Sequence, residues 1–328
     1  MPTNLPPEYF AAEKKFRQTL TPREKISALE ELISTVPKHK GTDKLRADLR
    51  KKLSQLRDEA VSMKRSGKGD LYAVEKQGAA QVALAGFANA GKSSIVKVLT
   101  NAHPVIAEYP MSTVAPLSGM MPFEDIQFQF IDLPPLGNES TDGWVSAILR
   151  NADLLLLMAD LSKDPAGEID MLIAQLLGWK LRLLQREERK KEEEGFTAKP
   201  AILVGNMADL PGAAEGIEAM RRNYGSSYPV AAVSAARKDG LEALKRIVFA
   251  CSRIIRVYSK EPGRPPDRNA PFVLPSGATV VDLAEIIHRD FVKNLKYACI
   301  WGSAKFDGQR VQRDFVLSDR DVVELHIK

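Results

Sequence analysis

An apolar segment that runs straight into a glycine-bounded loop constrains the fold of this chain more than any other feature. Val82 to Ala85 has the character of a buried strand. It is followed by the octet Gly86-Phe87-Ala88-Asn89-Ala90-Gly91-Lys92-Ser93, which fits G-x-x-x-x-G-K-[ST]. Ser94 to Leu99 then continues as a helix. This order directs backbone N–H groups and a helix N-terminus at one point, where they bind phosphate oxygens. The octet therefore predicts a P-loop for a nucleoside triphosphate, with a chance match as the alternative.

Residue types within the loop assign separate roles to its members. Lys92 is expected to pair with the β- and γ-phosphates, and that position makes it a catalytic candidate. The Ser93 hydroxyl is expected to ligate Mg²⁺. The residues expected to surround the phosphates are Gly86, Asn89, Ala90, Gly91, Lys92, Ser93 and Ser94.

Two further residues complete the predicted Mg²⁺ site. Thr113 lies twenty residues after Ser93, where a switch threonine can close the shell of ligands around Mg²⁺, and it is a second catalytic candidate. Asp132 ends the apolar segment Phe128 to Ile131, which is the place for an acid that holds a magnesium-bound water. The sequence thus predicts Ser93, Thr113 and Asp132 as the metal-binding set.

Two motifs favour guanine over adenine as the base. Asn206-Met207-Ala208-Asp209 follows an apolar segment, and Asp209 can accept hydrogen bonds from the ring N–H and the amino group of guanine. Ser234-Ala235-Ala236 ends the next apolar segment, where a backbone N–H can meet guanine O6. Adenine lacks the 2-amino group and carries a donor in place of O6, so an ATPase using the same loop is the disfavoured reading.

The distribution of apolar residues predicts four regions. Residues 1–77 have two helical repeats around a Pro/Gly break, which indicates a helical hairpin arm. Residues 78–257 alternate short apolar segments with helical stretches, which is typical of an α/β domain with a mostly parallel sheet covered on both faces. Residues 258–269 form a Pro/Gly-rich linker, and 270–328 form a smaller domain. Within the α/β domain, the charge-dense run 180–199 predicts an exposed helix.

Charge and cysteine content bound the partners and the compartment. Residues 1–77 carry 17 Lys/Arg against 11 Asp/Glu, whereas the rest of the chain carries 30 against 31. The basic arm is expected either to meet RNA or to be a solvated hairpin. The two cysteines, Cys251 and Cys299, form no framework and no metal pattern, so a cytoplasmic setting is expected. No apolar run approaches the roughly 20 residues of a membrane span, and no membrane association is expected.

Several of these segments resemble the developmentally regulated branch of the Obg-related GTPases. The resemblance is carried by Gly86 to Thr113, through Ala107-Glu108-Tyr109-Pro110, and by the helical start before Val82. The segment from Gly277 through Ile287-His288-Arg289-Asp290-Phe291 to Trp301-Gly302 is similar to the family's TGS domain, a ubiquitin-like β-grasp module. The resemblance implies a GTP/GDP-binding GTPase switch that acts with RNA or the ribosome.

Asn89 adds an inference that also comes from the resemblance. Relatives with Asn at this loop position use it to help bind K⁺ beside the phosphates, so K⁺ is implied as a further cofactor. The alternative is a loop asparagine that hydrogen-bonds to its own backbone.

Two departures from the family pattern argue against efficient hydrolysis of GTP. The second switch reads Asp132-Leu133-Pro134-Pro135, and Pro135 lacks the N–H that a glycine would donate to the γ-phosphate. Gly137 could supply a replacement in a changed register. Met207 stands where lysine is usual, and it can imitate the lysine stem but not its charge. Guanine selectivity is expected to persist through Asp209, with reduced affinity.

These observations leave two function classes open. One is a slow GTPase switch; the other is a nucleotide-binding scaffold that hydrolyses little or nothing and docks partners through the arm and the TGS domain. The TGS residues that could face RNA, or equally a protein partner, are Lys293, Lys296, Tyr297, Trp301 and Lys305.

Overall fold

The structure, a computed structural model, describes residues 74–100, 105–106, 116–137, 139–186, 195–268 and 270–327, together with seven residues before position 54. The chain divides into two compact units, Met1–Leu71 and Tyr72–Lys328. In the first unit, Leu29, Leu32 and Val36 are buried together at the spacing predicted for a helix. Ile33, Leu49 and Leu53 pack against these three residues, and most of the rest of the predicted hairpin arm lies outside the described residues.

A sheet of eight strands forms the centre of the second unit. Its order is β2-β3-β4-β1-β5-β7-β6, with β8 also paired to β7. The pairs β2–β3 and β3–β4 are antiparallel, and all the other pairs are parallel, which confirms the predicted mostly parallel α/β architecture. The strands are β1 Gln81–Ala85, β2 Val105–Ile106, β3 Leu117–Phe123, β4 Ile126–Asp132, β5 Leu154–Asp160, β6 Leu181–Leu184, β7 Thr197–Asn206 and β8 Val230–Ala232.

Helices cover both faces of this sheet. On one face, Ala83 and Leu155 pack against α2, α3 and α4, whereas on the other Val82 and Leu154 pack against α1 and α5. Successive strand residues therefore enter opposite cores, which explains the continuous apolar strands in the sequence. The helices are α1 Lys92–Thr100, α2 Glu139–Asn151, α3 Pro165–Gly178, α4 Ala213–Tyr224 and α5 Leu241–Ser252. None of the helices in the described part of the chain is long and apolar enough to cross a membrane.

The prediction of an exposed helix over 180–199 is wrong at both of its ends. Leu181–Leu184 forms the edge strand β6, and Thr197 begins β7. Leu181 and Leu183 are buried in the core beside α3, so burial of these leucines decides the local structure over the helical charge pattern. Residues 187–194 of this run lie outside the described residues.

A second sheet with two short helices forms the C-terminal β-grasp domain. Its strand order is β10-β9-β13-β11-β12, with β9 and β13 parallel and the other pairs antiparallel. Leu283 on α6 packs against the inward-facing Val257, Ile300 and Val323. The elements are β9 Ile254–Ser259, β10 Phe272–Pro275, α6 Val280–Ile287, α7 Arg289–Asn294, β11 Leu295–Trp301, β12 Gln309–Val311 and β13 Asp321–Ile327.

The boundary between the two domains differs from the predicted one at 257/258. Helix α5 ends at Ser252, and Arg253, with a left-handed φ of 52°, turns the chain directly into β9. Because β9 pairs with β10 and β13, it belongs to the second domain, and no linker separates the domains. The Pro/Gly-rich stretch predicted as a linker is a loop within the β-grasp domain, between β9 and β10.

A substitution in β9 tests this corrected boundary. Val257 is fully buried and pairs with Phe272 and Asp321. Val257→Ala should lower the free energy of unfolding by about 2–3 kcal/mol, because two buried methyl groups are lost and a cavity remains. Pro265→Ala, in the exposed loop, should change it by less than about 0.5 kcal/mol. Urea unfolding of the two variants measures the difference, and equal effects would contradict the assignment.

Candidate functional site

Apart from Thr113, the predicted site residues meet at one edge of the first sheet. Strands β1, β4, β5 and β7 run parallel, so their carboxyl ends lie side by side. The P-loop leaves β1, Asp132 ends β4, and Asn206 ends β7. Ser234 follows β8 at the same edge. Ligands bind at this edge in open α/β sheets because the loops converge there.

The P-loop depends on glycine at a position where it approaches β7. Gly91 has a φ of 81°, a region that favours glycine, and a Cβ atom there would lie 2.1 Å from Asn206 Nδ2. Asn89 also has a positive φ, 65°, which asparagine tolerates better than most residues. The loop is therefore held against Asn206 in a shape that only a few residue types permit.

Lys92 is 6% exposed and is held by the loop that precedes it. Its Nζ donates to the carbonyl oxygens of Gly86 and Phe87, both at 2.9 Å. Burial lowers the pKa of Lys92, and the nearby Asp132 carboxylate opposes that shift. An ammonium has three N–H donors, so one donor remains after the two carbonyls are satisfied, and a phosphate oxygen can accept it.

Ser93 and Asp132 form a direct contact at the start of α1. Ser93 Oγ donates to Asp132 Oδ2 at 2.5 Å. Burial raises the pKa of Asp132, and the Ser93 hydrogen bond and the Lys92 charge oppose the increase. A buried carboxylate beside a hydroxyl oxygen supplies the hard oxygen donors that Mg²⁺ prefers, so these two predicted residues fit a magnesium site.

A pocket of about 370 Å³ adjoins the P-loop and fits the predicted base-binding region. Asn206 bridges its two sides: Nδ2 donates to Ala90 O at 3.2 Å, and Oδ1 accepts from Ala235 N at 3.3 Å. Of the backbone N–H groups predicted to be able to meet guanine O6, that of Ala235 is thus engaged by Asn206. The lining residues are Gly91, Ser94, Asn206, Met207, Asp209, Leu210, Ala235 and Ala236.

Hydrogen bonds to Asp209 favour its ionised carboxylate, which can accept hydrogen bonds from a ligand in this pocket. Ser234 Oγ donates to Asp209 Oδ1 at 2.6 Å, and the Arg237 amide donates to Ser234 Oγ at 3.0 Å. The Ser234 hydrogen bond and a backbone hydrogen bond hold the pKa of Asp209 below its usual value. Met207, half-buried and with a φ of 63°, lines the same pocket.

The structure adds residues that sequence reasoning missed and leaves one predicted residue aside. Leu210 lines the base pocket. After the two prolines of the second switch, Leu136 N donates to Gly86 O at 3.2 Å, which ties this segment to the P-loop. The sequence could have indicated Leu136, because it is the first residue after Pro134-Pro135 that has a backbone N–H. Thr113 lies outside the described residues.

Comparison with protein families matches two regions of the chain. A family described as "50S ribosome-binding GTPase" matches residues 81–207, which include the P-loop, Asp132 and Asn206. The TGS domain family matches residues 255–327, in agreement with a β-grasp domain that begins at β9.

Individual relatives align along nearly the whole chain. A protein named developmentally-regulated GTP-binding protein 2 homolog, from Dictyostelium discoideum, is 30% identical over 92% of this chain and 98% of its own. Developmentally-regulated G-protein 1 of Arabidopsis thaliana is 28% identical over 92% of this chain and 90% of its own. A GTP binding protein from Pyrococcus horikoshii, of known structure, covers 76% of this chain and 100% of its own at 17% identity, with a TM-score of 0.53, and shares the fold.

Adding one methyl group to the P-loop tests the contact with Asn206. Gly91→Ala should lower nucleotide affinity by at least about 100-fold, because the new Cβ displaces Asn206 and the φ of 81° disfavours alanine. Gly178→Ala is the matched control, since nothing lies within 4 Å of its added Cβ. Calorimetric titration with GDP measures both variants, and retained affinity in Gly91→Ala would contradict the geometry.

Removing the Asp132 charge should stabilise the nucleotide-free protein while weakening magnesium-nucleotide binding. With a raised native pKa, Asp132 binds its proton more tightly in the folded state. The free energy of unfolding therefore falls as the pH rises from about 4, near the ordinary pKa of an aspartate, through the raised pKa of Asp132 in the folded protein. The Asp132→Asn variant has no carboxyl group at this position, so its free energy of unfolding does not fall in this way.

Urea unfolding across that pH range measures the effect. The variant should gain stability relative to the wild type as pH increases, and the two should converge at the acid end. A constant difference at every pH would contradict a raised pKa of Asp132.

Proposed function

The chain belongs to the developmentally regulated GTP-binding proteins, and we propose that it acts as a slow, Mg²⁺-dependent GTPase switch. It is a GTP-binding protein of this family. The observation that carries the proposal is that Lys92, Ser93 and Asp132 lie together next to Gly91 and Ser94, which line the same pocket as Asp209.

Each residue has a task in this proposal. The backbone of the P-loop and the remaining Lys92 donor hold the phosphates, and Asp209 with its bound Ser234 hydroxyl selects guanine. Ser93 and Asp132 hold Mg²⁺, which when bound neutralises charge on the β- and γ-phosphate oxygens. Hydrolysis by water then rests on positioning and electrostatic stabilisation rather than on covalent catalysis.

Potassium is proposed as a second cation at the phosphates. Asn89 lies in the P-loop with its backbone in the left-handed region, three residues before Lys92. A cation bound by Asn89 would supply positive charge that an arginine finger supplies in other GTPases. Together with Thr113, Asn89 and Lys92 make the proposed catalytic set.

RNA or the ribosome is the proposed partner, in the cytoplasm. Support comes from the "50S ribosome-binding GTPase" family that matches the nucleotide domain and from the TGS domain that follows it. The basic arm and the TGS domain are the proposed docking surfaces, for RNA or for a protein partner.

A nucleotide-binding scaffold with little hydrolysis is the second candidate. Pro135 has no N–H, and the next amide in the chain, that of Leu136, is already bonded to Gly86 O. One donor of the second switch is therefore absent, and the next is engaged by Gly86 O rather than free for a γ-phosphate. Met207 in place of lysine removes a further cation from the base side of the site.

Single-turnover hydrolysis of GTP in K⁺ and in Na⁺ separates the two candidates. The switch predicts turnover that K⁺ raises at least about tenfold and that Asn89→Ala returns to the Na⁺ level. Lys92→Ala, which removes the phosphate-binding cation while leaving the core intact, should bind no nucleotide. Turnover that is absent in both salts favours the scaffold, and unchanged GTP affinity in Lys92→Ala contradicts the site itself.

A further inference from the structure

A buried arginine joins the nucleotide-binding domain to the β-grasp domain. Arg256 of β9 has a side chain only 3% exposed. Its Nε and Nη2 donate to the two carboxylate oxygens of Asp319 at 3.1 and 2.7 Å, within its own domain. Its Nη1 donates to Glu124 and Asp125 of the first domain at 2.5 and 2.7 Å. Four of its five N–H donors therefore have carboxylate partners.

Glu124 and Asp125 are the two-residue turn between β3 and β4. The flanking residues Phe123 and Ile126 are paired, so the turn is the tip of a hairpin that spans 117–132. Arg320 Nη2 also donates to Glu124 at 2.6 Å, and the Tyr258 hydroxyl donates to Asp125. We call the contact of the hairpin tip with Arg256, Tyr258 and Arg320 the arginine clamp.

The backbone of the hairpin tip is strained at Glu124. Glu124 has a φ of 51°, at a turn position where glycine is preferred. A glutamate tolerates this strain only where the surroundings compensate for it, and here its carboxylate is bonded to two arginines. Phe249 of α5 supports the contact by stacking on Phe123 and lying under the Arg256 guanidinium.

The other end of the same hairpin lies in the nucleotide site. Strand β4 ends at Asp132, which is paired with Leu117 of β3 and bonded to Ser93. Seven residues of strand place Asp132 roughly 20 Å from the clamp. Helix α1, which begins at Lys92, also contacts the hairpin: a Cβ at Gly119 would lie 2.6 Å from Thr100 Oγ1.

We propose that the β3–β4 hairpin transmits the nucleotide state to the β-grasp domain through the arginine clamp. The proposal rests on the proposed GTPase site. A γ-phosphate and Mg²⁺ change the contacts of Ser93 and Asp132, and the paired strands carry that displacement along the hairpin to Glu124 and Asp125. Because the buried Arg256 side chain is bonded to carboxylates of both domains, the β-grasp domain follows the hairpin tip. The β-grasp domain thereby presents its surface differently in the GDP and GTP states.

The full chain carrying two spin labels tests this coupling. Met171→Cys on α3 and Phe306→Cys in the β11–β12 loop place the labels at residues 55% and 65% exposed, in a background with Cys251→Ser and Cys299→Ser. The distance between the labels is measured by pulsed electron paramagnetic resonance with GDP and with guanosine β,γ-imidotriphosphate. The affinities for both nucleotides are measured in parallel, because coupling between two sites is reciprocal.

The double variant Glu124→Gly with Asp125→Asn removes both carboxylates and gives the turn its preferred residue. It should abolish the distance change between the two nucleotides and shift the ratio of the two affinities by about fivefold or more. Glu218→Gln, which removes one carboxylate from an exposed pair with Arg221, should retain both properties. If the double variant does not fold, Tyr258→Phe replaces it and should reduce the same two quantities.

Three results would overturn the coupling. The first is a wild-type label distance that is the same with GDP and with the triphosphate analogue. The second is a clamp variant that keeps the wild-type distance change and the wild-type affinity ratio. The third concerns nucleotide binding itself. A wild-type chain that binds neither nucleotide overturns the proposed function and the coupling together. Binding without a distance change overturns the coupling alone.

Discussion

The side chain of Asn206 fixes the distance between the phosphate and base regions of the site. Its two ends bond to Ala90 in the P-loop and to Ala235 after β8, and it is 2% exposed. Gly91 lets the P-loop approach this side chain, and the parallel pairing of β5 with β7 brings Asn206 to the correct edge. The pocket, the P-loop and the guanine motif therefore depend on one buried amide and on the sheet that positions it.

Two groups of opposite charge are buried at the phosphate end of the site. Lys92 and Asp132 are both buried, and burial shifts the pKa of each toward its neutral form. Their mutual attraction and the Ser93 hydrogen bond only partly offset this cost. In the proposed site, a magnesium-nucleotide complex would bring both a cation for Asp132 and an anion for Lys92, and binding would relieve both penalties at once. The same burial makes the site a source of instability when it is empty.

Local motifs made the sheet and the site predictable, whereas contacts between distant segments were not. The P-loop, Asp132 and Asn206-to-Asp209 each follow an apolar strand, so spacing alone located them at one edge. Strand β9 was placed partly in the linker because its pairing with β13 involves residues more than sixty positions later. The leucines of β6 were assigned to a helix because their burial depends on α3. The Glu124–Arg256 contact joins residues 132 positions apart, and no local pattern indicates it.

The central claim is that Asp209 selects guanine in a pocket built on Asn206. The most direct test compares GDP and xanthosine diphosphate binding by the wild type and by Asp209→Asn, which retains an oxygen for the Ser234 hydroxyl. The carboxylate accepts two donors from guanine, whereas an amide offers one acceptor and one donor, which match xanthine. The wild type should prefer GDP by at least about 100-fold, and the variant should reverse the preference. Unchanged GDP affinity and no gain for xanthosine diphosphate in the variant would contradict the claim.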